Sequence, residues 1–541
     1  MKQRALILLS LFITKFSLFA QEAAEKSIPD IIEEKFKPVS DTWYNFVFYS
    51  FKIAGVSVPL IVIILTLGAL FFTIYFGLPQ FKFFKTAIKV VAGKYDDIDH
   101  HGSDTLAGDP TPNDDENIPE TIAIEGHHGE VSHFQALSAA LSATVGLGNI
   151  AGVAVAIAIG GPGATFWMIF VGLLGMASKF AECTLGVKYR DVDTNGTVYG
   201  GPMYYLKKGF AQAGKGSLGK VLAVVFAVMV IGGSFGGGNM FQSNQAASIF
   251  QSIFGFEGGN AKFYFGLILA ILVGIVIIGG IKRIGKVAEK IVPFMAVIYV
   301  GAALVIIFMN YDLILTAFKM IIVNAFTPMA GLGGFIGVLI QGFKRATFSN
   351  EAGVGSAAIA HSAVRTKYPA SEGIVALLEP FIDTVVICTM TALVIVIMNL
   401  KAGLFQYGDV VENKVLHAGE RIGGVDLTTL AFDEAIPHFS YILAIAVILF
   451  AFSTMLSWSY YGLQGWKFVF GRGKKMDMVY KLLFLFFVVV GASVQLDSVI
   501  NFSDAMIFAM VLPNLIGVIF LSPKIKEELS KYLKAIKNSG K

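Results

Sequence analysis

Three apolar stretches of this 541-residue chain carry groups that a plain hydrophobic helix does not need. The first reads Ala143-Thr144-Val145-Gly146-Leu147-Gly148-Asn149-Ile150-Ala151-Gly152. Each of its three glycines costs helix stability, and Thr144 and Asn149 add polar groups that close packing does not require. The second runs from Gln341-Gly342-Phe343-Lys344-Arg345 into Thr347-Phe348-Ser349-Asn350-Glu351-Ala352-Gly353-Val354-Gly355-Ser356. It sets charges and small hydroxyls at membrane depth. The third holds adjacent hydroxyls, Ser453 and Thr454, inside Phe452-Ser453-Thr454-Met455-Leu456-Ser457-Trp458. Those hydroxyls can give oxygen ligands to Na⁺ or bond back to carbonyls of their own helix, and the residues alone leave both readings open. Gln242 offers an amide inside a further apolar stretch, and Trp458 can wall a small pocket or only pack.

Irregular backbone survives at membrane depth only where it lines a cavity or is buried in protein. Amide groups freed at the start of a half-helix suit a carboxylate, with the helix dipole assisting. Freed carbonyls suit a hard cation, and glycine-interrupted segments at matching places in two halves point to a transport site. The alternative is that these glycines serve close helix contact. Lys179, Glu182, Lys344, Arg345, Glu351, Glu379 and Asp383 also lie in or beside apolar stretches, where charges are costly and usually functional. Lys179 and Glu182 stand three residues apart and are expected to pair. Arg345 and Glu351 are expected to hold a gate or the broken segment together. Neither a nucleophile motif nor a metal-ligand cluster accompanies the carboxylates, which argues against an enzyme.

The elements that must position these groups are helices in a membrane. The chain is 55% hydrophobic and 15% charged, against about 25% charged in soluble domains. Its apolar runs are unbroken and long enough for ~30 Å of hydrocarbon, which favours helices over a barrel. Spans are expected at 55–77, 134–160, 163–187, 220–247, 263–281, 290–309, 333–362, 372–398, 439–462, 478–496 and 501–521. That makes an all-α polytopic protein of about eleven transmembrane helices. Lys and Arg gather in alternate connections, from Lys82 and Lys85 through Lys188, Lys282, Arg365 and Lys467 to the basic tail. The positive-inside rule then puts the N-terminus outside and the C-terminus in the cytoplasm, in a cell inner (plasma) membrane.

Residues 1–20 read as a signal peptide or an uncleaved N-terminal anchor. Residues 45–133 hold one extra span and an acidic cytoplasmic loop, expected to be disordered from Asp96 to Glu130. The paired histidines His100-His101 and His127-His128 lack cysteine partners for a metal site. Residues 134–309 and 310–521 would form two blocks of five spans, and 522–541 a cytoplasmic tail. A net charge of +4 gives no sign of a nucleic-acid partner, and Cys183 and Cys388 read as small buried hydrophobes.

Thr144 to Ala154, Gly160-Gly161-Pro162-Gly163, Lys179-Phe180-Ala181-Glu182 and Val187-Lys188-Tyr189-Arg190 resemble the alanine or glycine:cation symporter family. So do Phe348 to Gly353, Ile359-Ala360-His361, Val386 to Ala392 and Ser457-Trp458-Ser459-Tyr460-Tyr461-Gly462. The likeness covers about residues 45 to 521. It implies a leucine-transporter fold, a five-plus-five inverted repeat behind one N-terminal helix, and sodium-coupled import of alanine or glycine by alternating access. A proton-coupled permease of the same fold is the alternative. No cofactor is implied beyond Na⁺ as the coupling ion, and the surrounding lipid is the other partner. By the resemblance, Gly146 and Gly148 would meet the substrate carboxylate, and Gln242, Thr454 and Trp458 would line its pocket. The carbonyls of Ser142 and Val145 would join the hydroxyls of Ser453 and Thr454 around one Na⁺. Thr144 and Asn149 match a second sodium position in related symporters. Leu147 stands where many members carry threonine, so a side-chain hydroxyl contact is missing there.

Between Phe134 and Gly160 the chain has no charged residue, and an unpaired buried charge is expensive. Alanine is therefore expected to compete for binding at least about tenfold better than glutamate or lysine. Equal competition by either charged amino acid would overturn this.

Overall fold

The structure, a computed structural model, describes residues 26–53, 56–100, 131–193, 197–255, 259–279, 281–326 and 334–540. The features expected at residues 1–20 and at 101–130, with His101, His127 and His128, lie outside them, whereas Asp96–His100, expected to be disordered, is a short helix whose Asp99 is buried. The described chain is mainly helical. Helix α1 (Ile28–Val47) and a hairpin of β1 (Ser50–Ile53) with β2 (Val56–Pro59) precede α2 (Leu60–Tyr75). The span expected at 55–77 thus begins as a strand, because Pro59 holds an extended backbone before the first helical turn.

Helix α3 (His133–Thr144) starts under a capping box. The Ser132 hydroxyl accepts from the Gln135 amide, and the Gln135 side chain accepts from the Ser132 amide. After a bend come α4 (Val153–Gly160) and α5 (Gly163–Lys188). The turn between them needs Gly161, whose φ is +66°. A short pair, β3 (Asp191–Val192) with β4 (Val198–Tyr199), and a helix at Pro202–Gln212 lead to α6 (Gly216–Phe235) and α7 (Phe241–Phe254). Then follow α8 (Ala261–Ile277), α9 (Ile281–Met309) and α10 (Tyr311–Phe326).

The span expected at 333–362 is two helices, α11 (Gly334–Asn350) and α12 (Ala357–His361). Helix α13 (Pro369–Ala376), a π-helical turn at Phe381–Cys388 and α14 (Thr389–Ala402) come next. The acidic stretch from Asp409 to Glu434 folds into a three-stranded antiparallel sheet of β5 (Val410–Val411), β6 (Lys414–His417) and β7 (Glu420–Ile422), with a helix at Val425–Ala435. The chain ends in α15 (Ser440–Phe470), α16 (Lys474–Ser493), α17 (Leu496–Ala509), α18 (Val511–Phe520) and the basic α19 (Ser522–Asn538).

Among the described residues seven helices are long and apolar enough to cross a membrane, or eight if α3 and Gly148–Gly160, bent by 53°, count as one span. Large apolar side chains lie exposed along α8, α9 and α10, for example Ile268, Ile271, Val297, Phe308 and Leu315. Such a surface suits lipid rather than water.

Helix α5 is the buried axis. It packs against α2, α10, α11, α12 and α13, and small residues let those backbones approach. A Cβ on Gly163 would stand 2.4 Å from the Asn324 carbonyl of α10, and one on Gly175 would stand 2.7 Å from the Ala352 Cβ. Gly163→Val should therefore cost about 1–3 kcal/mol and lower the thermal midpoint of the purified protein. Gly301→Val is the control, since a Cβ there meets nothing within 4 Å. Equal midpoints for the two variants would show that α5 does not depend on this approach.

Candidate functional site

Helix α3 stops at Thr144 because Val145 turns out of the helical region, with φ −74° and ψ 90°. The chain resumes as a π-helical turn at Gly148–Gly152. A break of this kind frees backbone groups that must find partners inside the protein. The Asn149 side-chain oxygen accepts the Gly146 amide at 2.8 Å, and the Gln242 side-chain oxygen accepts the Leu147 amide at 3.3 Å. Thr428 donates to the Ile150 carbonyl at 3.1 Å.

The second break opens at Glu351, held in the left-handed region at φ +57°. Asn350 accepts the Ala352 amide at 2.9 Å. The asparagines of both breaks then converge on one π-helical turn. Asn149 donates to the Asp383 carboxylate at 2.6 Å. Asn350 donates to the Thr384 hydroxyl at 2.9 Å, and Thr384 in turn donates to Asp383 at 2.7 Å. Asp383 thus links the two broken helices.

Between the breaks lies a small cavity, ≈ 10 Å³, about the size needed for one water. Thr144, Gly148, Gln242, Glu351, Thr454 and Trp458, all singled out by sequence, line it. Ala143, Gly237, Phe348, Ser349 and Ile507 complete the wall. Gln242 is held by donating to the Gly237 carbonyl at 2.9 Å. Trp458 fits because Gly238 has no side chain: a Cβ there would lie 2.2 Å from the indole.

Beside the cavity is a knot of hydroxyls. The Ser142 hydroxyl lies 2.8 Å from that of Ser453 and 2.9 Å from that of Ser457. Thr454 donates to the Ser142 carbonyl at 3.5 Å. The Ser453 and Thr454 hydroxyls therefore face α3 across the helix interface. Gly146 leans on Thr454, since a Cβ at Gly146 would fall 2.4 Å from its hydroxyl. Val145 is buried at the break itself. Ser457 was not anticipated, although it follows Ser453 by one helical turn.

The charged groups depart from expectation at one pair. Lys179 and Glu182 do not pair. Lys179 donates to Glu379 at 2.9 Å, while Glu182 accepts from Asn514 at 2.7 Å. Arg345 and Glu351 belong to separate contacts. Arg345 pairs with the buried Asp504 of α17, joined by Lys344 at 3.4 Å. Glu351 accepts from the Trp458 indole at 3.0 Å and from Ser356, which spans the second break. Asp504 was missed, although a carboxylate inside the apolar run 501–521 was itself the signal. Asn149 is not among the residues lining the cavity, because its side chain is committed to Gly146 and Asp383.

A Cβ at Gly148 would come within 3.2 Å of the Ser349 backbone. Gly148→Leu should therefore fill the cavity and weaken alanine binding by more than about 100-fold. The protein should still purify as a monodisperse species. Wild-type affinity in that variant would remove the cavity from the binding site.

Comparison with known proteins places this architecture. A model of the sodium:alanine symporter family matches residues 117–541. The sodium/alanine symporter AgcS of Methanococcus maripaludis is 44% identical over 420 residues, covering 77% of this chain and 87% of that one. The probable sodium/glutamine symporter GlnT of Bacillus subtilis is 36% identical, over 76% of this chain and 80% of that one. The amino-acid carrier protein AlsT of the same organism is 33% identical, over 85% and 86%. With its apolar helices, its broken segments and this match over most of its length, the chain belongs to the sodium:alanine symporter family, multi-pass membrane transporters rather than enzymes.

Proposed function

We propose that this protein imports a small neutral amino acid, alanine or glycine, together with Na⁺ by alternating access. The observation that carries this reading is the hydroxyl knot. Ser142, Ser453, Thr454 and Ser457 gather oxygen atoms at the first helix break, next to the cavity. Oxygen donors without a fixed charge suit a hard monovalent cation. The Ser142 and Val145 carbonyls with the Ser453 and Thr454 hydroxyls are the proposed Na⁺ ligands.

The substrate carboxylate would approach the Gly146–Gly148 segment and take the Leu147 amide from Gln242. Thr144, Thr454 and Trp458 would form the remaining polar and aromatic walls, while Asn149 holds the break in shape. Glu351 is the carboxylate on the cavity wall and would face the substrate ammonium. The small cavity supports a small side chain, and the walls must move apart to admit even alanine. The names carried by the relatives, a sodium/alanine symporter and a probable sodium/glutamine symporter, both concern neutral amino acids. In this reading the protein has eleven spans arranged as a five-plus-five inverted repeat, 134–309 and 310–521. The N-terminus lies outside and the C-terminus in the cytoplasm of the inner membrane.

The second reading is proton coupling in the same fold. Glu351 favours it, as an ionisable group on the cavity wall. Alanine affinity titrated against Na⁺ separates the two. Ser453→Ala with Thr454→Ala should raise the Na⁺ concentration for half-maximal binding by about tenfold or more, with much of the affinity restored at saturating Na⁺. Parallel titrations with one midpoint would remove these hydroxyls from the sodium site. Uptake that persists without Na⁺ and collapses with the pH gradient would establish the proton reading instead.

A further inference from the structure

A second set of buried ionisable groups lies apart from the cavity wall, in a line. The Asp99 carboxylate is 3.4 Å from Nε2 of His133, the first residue of α3. Nδ1 of His133 contacts one oxygen of Glu372 on α13. The other oxygen of Glu372 lies 2.5 Å from Nδ1 of His361, the last residue of α12. Nε2 of His361 is 3.4 Å from Glu379, which accepts from Lys179 of α5 at 2.9 Å. All six side chains are buried, and none is more than 4% exposed.

Three carboxylates thus alternate with two imidazoles and one ammonium. With both imidazoles protonated the line is neutral. With neither protonated it holds two uncompensated buried negative charges, which a low-dielectric interior strongly disfavours. Among the described residues, no group of three His, Cys, Asp or Glu side chains could hold a metal ion. The ligand that this arrangement suits is the proton, since imidazole exchanges it near neutral pH.

The placement is mechanical as well as electrostatic. His133 begins the half-helix before the first break, at the end away from the break. His361 ends the half-helix after the second. Their carboxylate partners sit on the short helix Asp96–His100, on α13 and on the short helix Leu378–Pro380, and the last is tied to Lys179 of α5. The line therefore ties both half-helices to one scaffold. The other ionisable groups around it are few. Tyr532 of α19 reaches Asp99 at 3.4 Å, and Glu182 and Cys183 lie beside Lys179 on α5. Glu351 also acts on Lys179 from the second break. Arg190 holds the adjoining loop through the Ser362 and Val364 carbonyls.

We propose that His133 and His361 form a proton-binding latch: two imidazolium protons hold α3 and α12 closed against α13 and α5, and are released when these half-helices swing away. The latch rests on the alternating-access reading, since it needs the half-helices to move. Opening puts the imidazoles in water, where a free histidine loses its proton above about pH 6.5. Acid therefore favours the closed latch, and rising pH favours the open one by about tenfold per pH unit for each proton released.

The test is double electron–electron resonance between nitroxides at Phe134→Cys and Lys474→Cys, in a background of Cys183→Ala and Cys388→Ala, without substrate. The labels are attached once and the pH is then set between 6 and 9, so labelling chemistry does not intrude. The ratio of the longer to the shorter separation should rise by at least about tenfold per pH unit above neutrality. His133→Gln should reduce that slope, and His133→Gln with His361→Gln should abolish it. Should the double variant fail to fold, the reduced slope in His133→Gln decides alone. Two separations whose ratio ignores pH would overturn the latch and leave alternating access standing. An unchanged slope in the variants would assign the response to other buried groups, among them Glu351, Glu182, Asp383 and Tyr461, the last two of which act on Glu379, and would also overturn it. One separation under every condition, with and without Na⁺ and alanine, would overturn alternating access and the latch with it.

Discussion

A peptide group released from a helix inside a membrane has no water to turn to, so it must be satisfied by the protein itself. The whole centre of this molecule answers that demand. Two helices are interrupted, and each interruption is bracketed by an asparagine, Asn149 or Asn350, that takes a freed amide with its oxygen and spends its nitrogen on the Asp383–Thr384 turn. Gln242 covers a further amide from α7. With Thr428 on the Ile150 carbonyl, the breaks are thus supported from three other elements, and the space between them is what remains after those obligations are met. A ligand entering that space can compete for the amides that Asn149 and Gln242 hold.

The same demand governs the charges. A buried ion needs a partner fixed in place. On α5, Lys179 and Glu182 share a face of one helix, yet each is committed across an interface, to Glu379 and to Asn514. Partners on a different helix tie two elements together as well as balancing charge. Arg345 and Asp504 do this between α11 and α17, and Lys344 reaches the Tyr44 hydroxyl of α1 at 2.9 Å.

These rules explain which parts could be read from the chain. Glycine, Thr144 and Asn149 within an otherwise apolar run announce the first break, because nothing in a lipid-facing helix calls for them. Charges in the run from Gln341 to Ser356 announce the second. Gln242, Thr454 and Trp458 were set on a pocket by the family resemblance, since the residues alone left packing or back-bonding open for Thr454 and Trp458. The partners were harder. Asn149 meets Asp383 across 234 positions and Arg345 meets Asp504 across 159, and no local periodicity encodes such distances. The i,i+3 rule misled at Lys179 because it describes exposed helix faces, whereas both of those residues are fully buried. The β1–β2 hairpin was hidden because Val56 and Val58 of β2 lead directly into the hydrophobic run of α2.

The order of the chain has its own consequence at α1. Ser40 donates to the Ser498 carbonyl at 2.7 Å, across 458 positions, and Lys37, Asp41 and Glu33 meet Asp497, Asn501 and Ser498. The first described helix is therefore docked by one of the last to leave the ribosome. Glu182 waits in the same way for Asn514, and Asp99 for Tyr532. Until those late helices are made, these polar groups lack their partners, a state that favours aggregation and proteolysis. The last three helices therefore close the fold, and a nascent chain that stalls before α17 leaves Ser40, Glu182 and Asp99 without the groups that hold them here.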